Sequence, residues 1–228
     1  MNIFKALPFK RMMKSCHFRT FQLSLLLILF TVSCNAQNTN STISLFDGIT
    51  LEGWETVKEA DQVFWYVEDS TIVGGDGKQK IPENTFLYTK KTYENFEFRC
   101  LFRLTGDHEV GLINSGIQYR SIVDGDKMVG YQADIGNGYW GDIYEENRRG
   151  KLMAGDLSTL RKVLDEDGWN SYIIRVKGDI HELYINGVKT GEYHEKDQDI
   201  PSKGVIGIQL HSGGNAKIEM KDISITHL

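Results

Sequence analysis

Three short stretches place amides, one carboxyl, one guanidinium and one imidazole at alternate positions. They are "NSGIQYR" with Asn114, Gln118 and Arg120, "GYQADI" with Gln132 and Asp134, and "GIQLH" with Gln209 and His211. Alternate side chains of a β-strand share a face. Each stretch therefore predicts a polar row backed by apolar residues: Ile117, Tyr131, Ile135, Ile206, Ile208 and Leu210. An ordinary solvated face mixes Lys, Glu and Thr, and for any one row a wet sheet face is the simpler account. Three such rows, with Gly116 and Gly207 leaving room for a ring, suit a groove that binds vicinal hydroxyls.

Neighbouring residues extend that expectation. Tyr139 and Trp140 follow the turn "GNG" and offer flat surfaces for a pyranose, although Trp140 suits a core position equally well. The run "YEENRRGKL" carries Glu145, Glu146, Arg148 and Arg149. Such a run is usually a solvated loop, but here it follows the proposed groove directly, so Glu145 or Glu146 is a candidate general acid and Arg148 a candidate substrate contact. Trp169 reads as structural. No phosphate-binding glycine loop, zinc spacing, HExxH or GxSxG motif occurs, so neither metal nor cofactor is expected. A conventional sandwich glycosidase is expected to carry two or three carboxylates at alternate positions of one strand, and only Asp134 has such a place.

These rows need a sheet to carry them. Short alternating runs separated by Gly, Asn and Asp recur from "VFWYVED" to "AKIEMKDISITHL", which predicts an all-β sandwich or barrel. "ELYINGVKTGEY" predicts a hairpin turning at Asn186–Gly187. "LSTLRKVLDEDG" is the one helical pattern, with Leu157, Leu160, Val163 and Leu164 on one side.

At the other end of the chain, five cations precede the apolar run "LSLLLILFTV", as in a secretory signal. Cleavage after Ala36 is one ending. The other is a lipobox at "TVSC" with Cys34 as the lipidated residue, although Thr31 stands where an aliphatic residue is usual. The expected layout is a signal over 1–36, a polar linker over 37–42 and one domain over 43–228. Losing the five cations takes the formal charge from −5 to about −10, which argues against nucleic acid or anionic lipid as partner. Of three cysteines only Cys100 lies in the body of the chain, alternating with Phe96, Phe98, Phe102 and Leu104, so a buried role is expected rather than a disulfide or a nucleophile.

In order, "SLFDGITLEGWE", "NSGIQYR", "GYQADIG", "DGWNSYIIRVKG", "LYINGVKT" and "GVIGIQLHSGG" resemble the 3-keto-disaccharide hydrolase domain over about residues 43–228. The resemblance implies a concanavalin A-like jelly-roll sandwich of two antiparallel sheets with at most one or two short helices. It also implies export to the periplasm or the outer membrane. Relatives of this kind cleave 3-keto-glycosides, supplied by a separate oxidoreductase, through elimination and hydration. By position Asn114, Ser115, Gly116 and Arg120 match the family's NSG strand, Tyr131 and Gln132 its GY strand, and Gln209 and His211 its last core motif. Asp134 stands where many members carry Gln.

A ketone at C3 acidifies the C2 proton, so one base suffices to start the cleavage. The expected roles are His211 as that base, Asp134 orienting or replacing it, and Arg120 at the enolate. Gln132 and Gln209 would hold hydroxyls and Glu145 or Glu146 would protonate the leaving oxygen. The alternatives are a non-catalytic carbohydrate-binding module and a conventional glycoside hydrolase.

Overall fold

The computed structural model describes residues 41–228; the expected signal, with Cys34 and Ala36, lies outside them. Fifteen strands follow in chain order: β1 (Thr42–Ser44), β2 (Trp54–Thr56), β3 (Trp65–Glu68), β4 (Thr71–Gly74), β5 (Thr85–Tyr93), β6 (Phe96–Thr105), β7 (Asn114–Asp124), β8 (Lys127–Gly136), β9 (Ile143–Glu146), β10 (Gly150–Met153), β11 (Asn170–Lys177), β12 (Ile180–Ile185), β13 (Val188–His194), β14 (Gly204–Leu210) and β15 (Lys217–His227). One sheet runs β13-β12-β11-β6-β15-β4-β3, with β1 added on β15, and the other runs β10-β9-β8-β7-β14-β5-β2. All pairings are antiparallel, and the fold is a jelly-roll β-sandwich.

Alternation decides what lies between the sheets. Phe96, Phe98, Cys100 and Phe102 of β6 meet Ile117 and Tyr119 of β7, Ala133 and Ile135 of β8, and Ile206, Ile208 and Leu210 of β14 in one core cluster. Cys100 is buried there, and burial raises its thiol far above the ordinary range, as expected of an inert small hydrophobe.

The β12–β13 hairpin turns at Asn186 (φ +49°) and Gly187 (φ +76°), the positive-φ pair of a type I′ turn. The helical stretch is shorter than its sequence pattern: α1 covers only Leu157–Leu160, capped by the Asp156 carboxylate on the Ser158 N–H. Leu160 alone is buried there. The Asn170 and Asn186 side chains then take the Asp165 and Val163 carbonyls, giving the backbone partners outside a helix. A 3-10 helix, Glu59–Phe64, has no counterpart in the sequence reading. Trp169 sits under the cations of Arg103 and Lys221, a structural position.

β7 bears on function through its irregularity. Its register with β8 shifts between Tyr119 and Ile122, and Arg120 inside that bulge has φ +46°. A left-handed residue at a bulge breaks the two-residue alternation, so Arg120 leaves the row that Asn114, Gly116 and Gln118 begin.

Candidate functional site

The three predicted rows are neighbours. In the second sheet β14, β7 and β8 lie side by side, with Gln209 opposite Gly116, Gly116 opposite Asp134, and Gln118 opposite Gln132. β9 continues the sheet with Tyr144 opposite Gln132. The His211 N–H reaches the Asn114 carbonyl at 3.4 Å, which extends the ladder past the end of β14. These residues open on a cleft of about 310 Å³ lined by Asn114, Gln132, Asp134, Tyr139, Glu146, Gln209 and His211, together with Asn84, Leu112, Tyr144 and Lys151.

Five predicted residues stand elsewhere. The Arg120 guanidinium donates to the Glu94 carbonyl (2.8 Å), the Gly178 carbonyl (2.8 Å) and Asn95 Oδ1 (3.2 Å), and it borders a different depression beside Glu195 and Pro201. The bulge at its own backbone is the reason. Glu145, 0 % exposed, points to the inner side of β9 and is closed by Arg148 and by Arg149 at 2.5 Å. Arg148 itself lies over the Tyr131 ring, 5.6 Å from its centroid. Because β9 alternates, Tyr144 and Glu146 take the cleft side instead. Trp140 is a core residue packed 6.2 Å from Phe102 between ring centroids. Gln118 is fully buried beneath the cleft, and its amide reaches Gln132 and Ser121 rather than the opening.

Gly116 has a different use from the one its sequence suggests. A Cβ there would stand 2.6 Å from Cδ of Gln132, so the missing side chain makes room for that amide and not for a sugar ring.

Of the unpredicted lining residues, two had a readable signal. Tyr144 alternates with Glu146 in "IYEE", and Lys151 faces Tyr144 across the β9–β10 turn. Asn84 and Leu112 come from loops before β5 and β7, where local sequence gives no hint.

The charges are arranged by depth. Asp134 is 4 % exposed, and burial pushes its carboxyl up to about 7. Asp142 and Glu146 add to the rise, while a hydrogen bond from Gln132 Nε2 to Oδ1 (2.5 Å) and the Lys151 charge oppose it. Burial also raises Glu146, against the nearby His211 charge and the Gln209 and Asn84 amides; Gln209 Nε2 donates to Glu146 Oε2 at 3.1 Å.

His211 Nδ1 stands 2.7 Å from the Ser212 carbonyl. A carbonyl only accepts, so Nδ1 carries the proton and Nε2 of the neutral ring keeps its lone pair. Of the two roles expected of Asp134, orienting His211 or replacing it, the first thus falls to the Ser212 carbonyl. Lys151 Nζ is held by Asp142 Oδ2 at 2.5 Å and stands 5.2 Å from the Tyr139 ring centroid. The loop 137–141 folds back because the Gly141 N–H bonds the Asp134 carbonyl and the Asp134 N–H bonds the Asp142 carbonyl, each at 3.1 Å. An imidazole, two carboxyls whose hold on a proton burial strengthens and one ammonium therefore line a single cleft.

A family profile described as the 3-keto-alpha-glucoside-1,2-lyase-like domain matches residues 41–226. No curated protein is similar to the chain at a significant level. Among solved structures, a candidate glycosyl hydrolase from Parabacteroides distasonis is 22% identical, with 83% of this chain and 100% of that one covered and a TM-score of 0.58. A second from the same organism is 20% identical over 83% and 95% of the chains, with a TM-score of 0.57. A carbohydrate-binding module from Bacillus subtilis is 14% identical over 76% and 95%, also at 0.57. At these identities the likeness is one of fold.

Proposed function

The chain belongs to the 3-keto-alpha-glucoside-1,2-lyase-like domain family, and on that premise we propose that it is an exported enzyme cleaving the glycosidic bond of 3-keto-glycosides, with net hydrolysis. The observation that carries this reading is the meeting of His211, Glu146, Asp134 and Lys151 in one cleft. The substrate's ketone would come from a separate oxidoreductase acting on the glycoside. Retention at the outer membrane by a lipid on Cys34 belongs to the same proposal.

In the first half-reaction His211 Nε2 takes the proton from C2 of the sugar. The electron pair forms an enolate at C3, then collapses to a C1–C2 double bond as the C1–O bond breaks. Glu146, close enough to His211 for their charges to interact, stabilises the imidazolium that forms. Lys151, held by Asp142, faces the enolate oxygen in the place first assigned to Arg120. Asp134, with its carboxyl near 7, is protonated in a large fraction of molecules at neutral pH and gives its proton to the leaving oxygen. In the second half-reaction the Asp134 carboxylate takes a proton from water as its oxygen adds to C1, and His211 returns its proton to C2. The balance is one glycoside and one water in, one 3-keto sugar and one alcohol out.

Asp134 and Glu146 in the same cleft are also a carboxyl pair, which favours conventional glycoside hydrolysis as a second reading. One experiment separates the readings. The protein is incubated in D2O with a chromogenic 3-keto-glucoside and, in parallel, with the unoxidised glucoside. Aglycone release from the keto substrate alone, with deuterium at C2 of the product, is the expected result. Release from the unoxidised sugar without C2 exchange establishes the second reading. Calorimetric binding without release of either aglycone reduces the protein to a carbohydrate-binding module.

A further inference from the structure

Beneath the cleft runs a row of side chains whose hydrogen bonds all point one way. The Ser121 hydroxyl donates to Gln118 Oε1 at 2.9 Å, and Gln118 Nε2 donates to Gln132 Oε1. Gln132 Nε2 donates to Asp134 Oδ1 at 2.5 Å and to Gln209 Oε1 at 3.2 Å, and Gln209 Nε2 donates to Glu146 Oε2 at 3.1 Å. Three glutamines on three adjacent strands thus link one buried hydroxyl to the two cleft carboxyls.

The direction follows from the ends. In their ionised forms both carboxyls only accept, and Gln132 and Gln209 turn their NH2 groups towards Asp134 and Glu146 accordingly. That leaves Gln132 Oε1 facing inward, where a buried acceptor needs a donor. Gln118 supplies it, and its own Oε1 is left for the Ser121 hydroxyl. Ser121 Oγ also lies 3.2 and 3.3 Å from the Tyr119 and Tyr131 carbonyls, which keeps its single proton within this group. Gly116 is the space that lets the Gln132 amide lie flat in the row.

We propose that Gln118, which has no access to the cleft, is the positioning residue of this site: it fixes the Gln132 amide so that donors face both reacting carboxyls. With Gln118 unable to donate, Gln132 rotates, presents Oε1 to Asp134 and forces that carboxyl to hold its proton. The inference rests on the reading of Asp134 as a reacting group, but its consequence is a titration that needs no substrate. The charged and titratable groups that face Asp134 are Tyr139 and Asp142 from the loop after β8, Tyr144 and Glu146 from β9, Lys151 from β10, His211 after β14 and, from the opposite sheet, Tyr172 of β11, whose hydroxyl donates to the Asp134 carbonyl at 3.4 Å. None of them is altered by changing Gln118.

The test is a carbon-13 NMR titration of the Asp134 carboxyl in the protein and in two variants, Gln118→Glu and Gln118→Met. The Glu variant puts an acceptor where the donor stood and is expected to move the Asp134 midpoint up by at least one pH unit. The Met variant, nearly equal in volume, should move it in the same direction by less. An unchanged midpoint in either folded variant overturns the proposal. The unaltered protein provides a check that does not depend on variant folding: the Gln132 NH2 should show scalar coupling across its hydrogen bonds to the Asp134 and Gln209 carbonyl carbons. Coupling from Gln132 to Gln118 instead would mean that the row runs the other way and would refute the assignment. Absence of keto-glycoside cleavage would leave both readings of the titration intact.

Discussion

Glu145 and Glu146 are adjacent on β9 and meet opposite surroundings. Glu145 is fully buried between the Arg148 and Arg149 guanidinium groups, while Glu146 opens into the cleft and accepts from Gln209. Arg149 also binds Glu195 at 2.5 Å, so the inner pair ties the β9–β10 hairpin to the segment after β13 in the other sheet.

Removing the two carboxylates should therefore have different effects. Glu145→Ala leaves two arginines without their buried partner and should cost about 3–5 kcal/mol of stability, read as a fall in the urea midpoint. Glu146→Gln should keep the midpoint and lower turnover of a 3-keto-glucoside by roughly 10²-fold.

His211→Ala and Asp134→Asn should each reduce that turnover by about 10²–10⁴-fold. Deuterium exchange at C2 distinguishes them. It should vanish with His211→Ala and persist with Asp134→Asn, because only the former removes the base; wild-type rates in both variants would refute the roles assigned.

Asp134 also makes stability depend on pH in an unusual sense. Its folded-state carboxyl is raised to about 7 from 3.8, so between those values the folded state holds a proton that the unfolded chain has lost. The contribution is fully present below pH 4 and is lost as pH rises towards 7 and above. Asp134→Asn removes this dependence. Relative to the parent protein the variant should gain stability by a few kcal/mol between pH 4 and pH 8, as measured by urea unfolding across the range.

Arg120 is predicted to matter for folding and not for the cleft. Arg120→Ala leaves the Glu94 and Gly178 carbonyls without a donor and should cost about 2–4 kcal/mol. Sugar affinity measured by calorimetry on the folded variant should stay within about twofold, below the ~1.4 kcal/mol that marks a tenfold change.

The sequence alone determined which residues face the core and which do not, since alternation is a property of the extended backbone itself. Ile117, Tyr131, Ile135 and Leu210 lie inside as their spacing requires, and Asn186–Gly187 turns the hairpin because the pair tolerates positive φ. The same local rule brought Gln132, Asp134, Gln209 and His211 to one face. It failed for Arg120, where a bulge with left-handed backbone interrupts the alternation, and for Gln118, whose face was read correctly but whose depth was not. Strand order, and hence the meeting of β14 with β7 and of β9 with β8, is decided by tertiary packing. So is the choice between Glu145 and Glu146: alternation separates them, but only the position of the opposite sheet decides which one is closed off by arginines. Asn84 and Leu112 reach the cleft from loops, whose paths are set by contacts far away in the chain. Burial completes the division, because the carboxyl near 7 on Asp134 depends on how much water the assembled sheets exclude, and no local spacing encodes that.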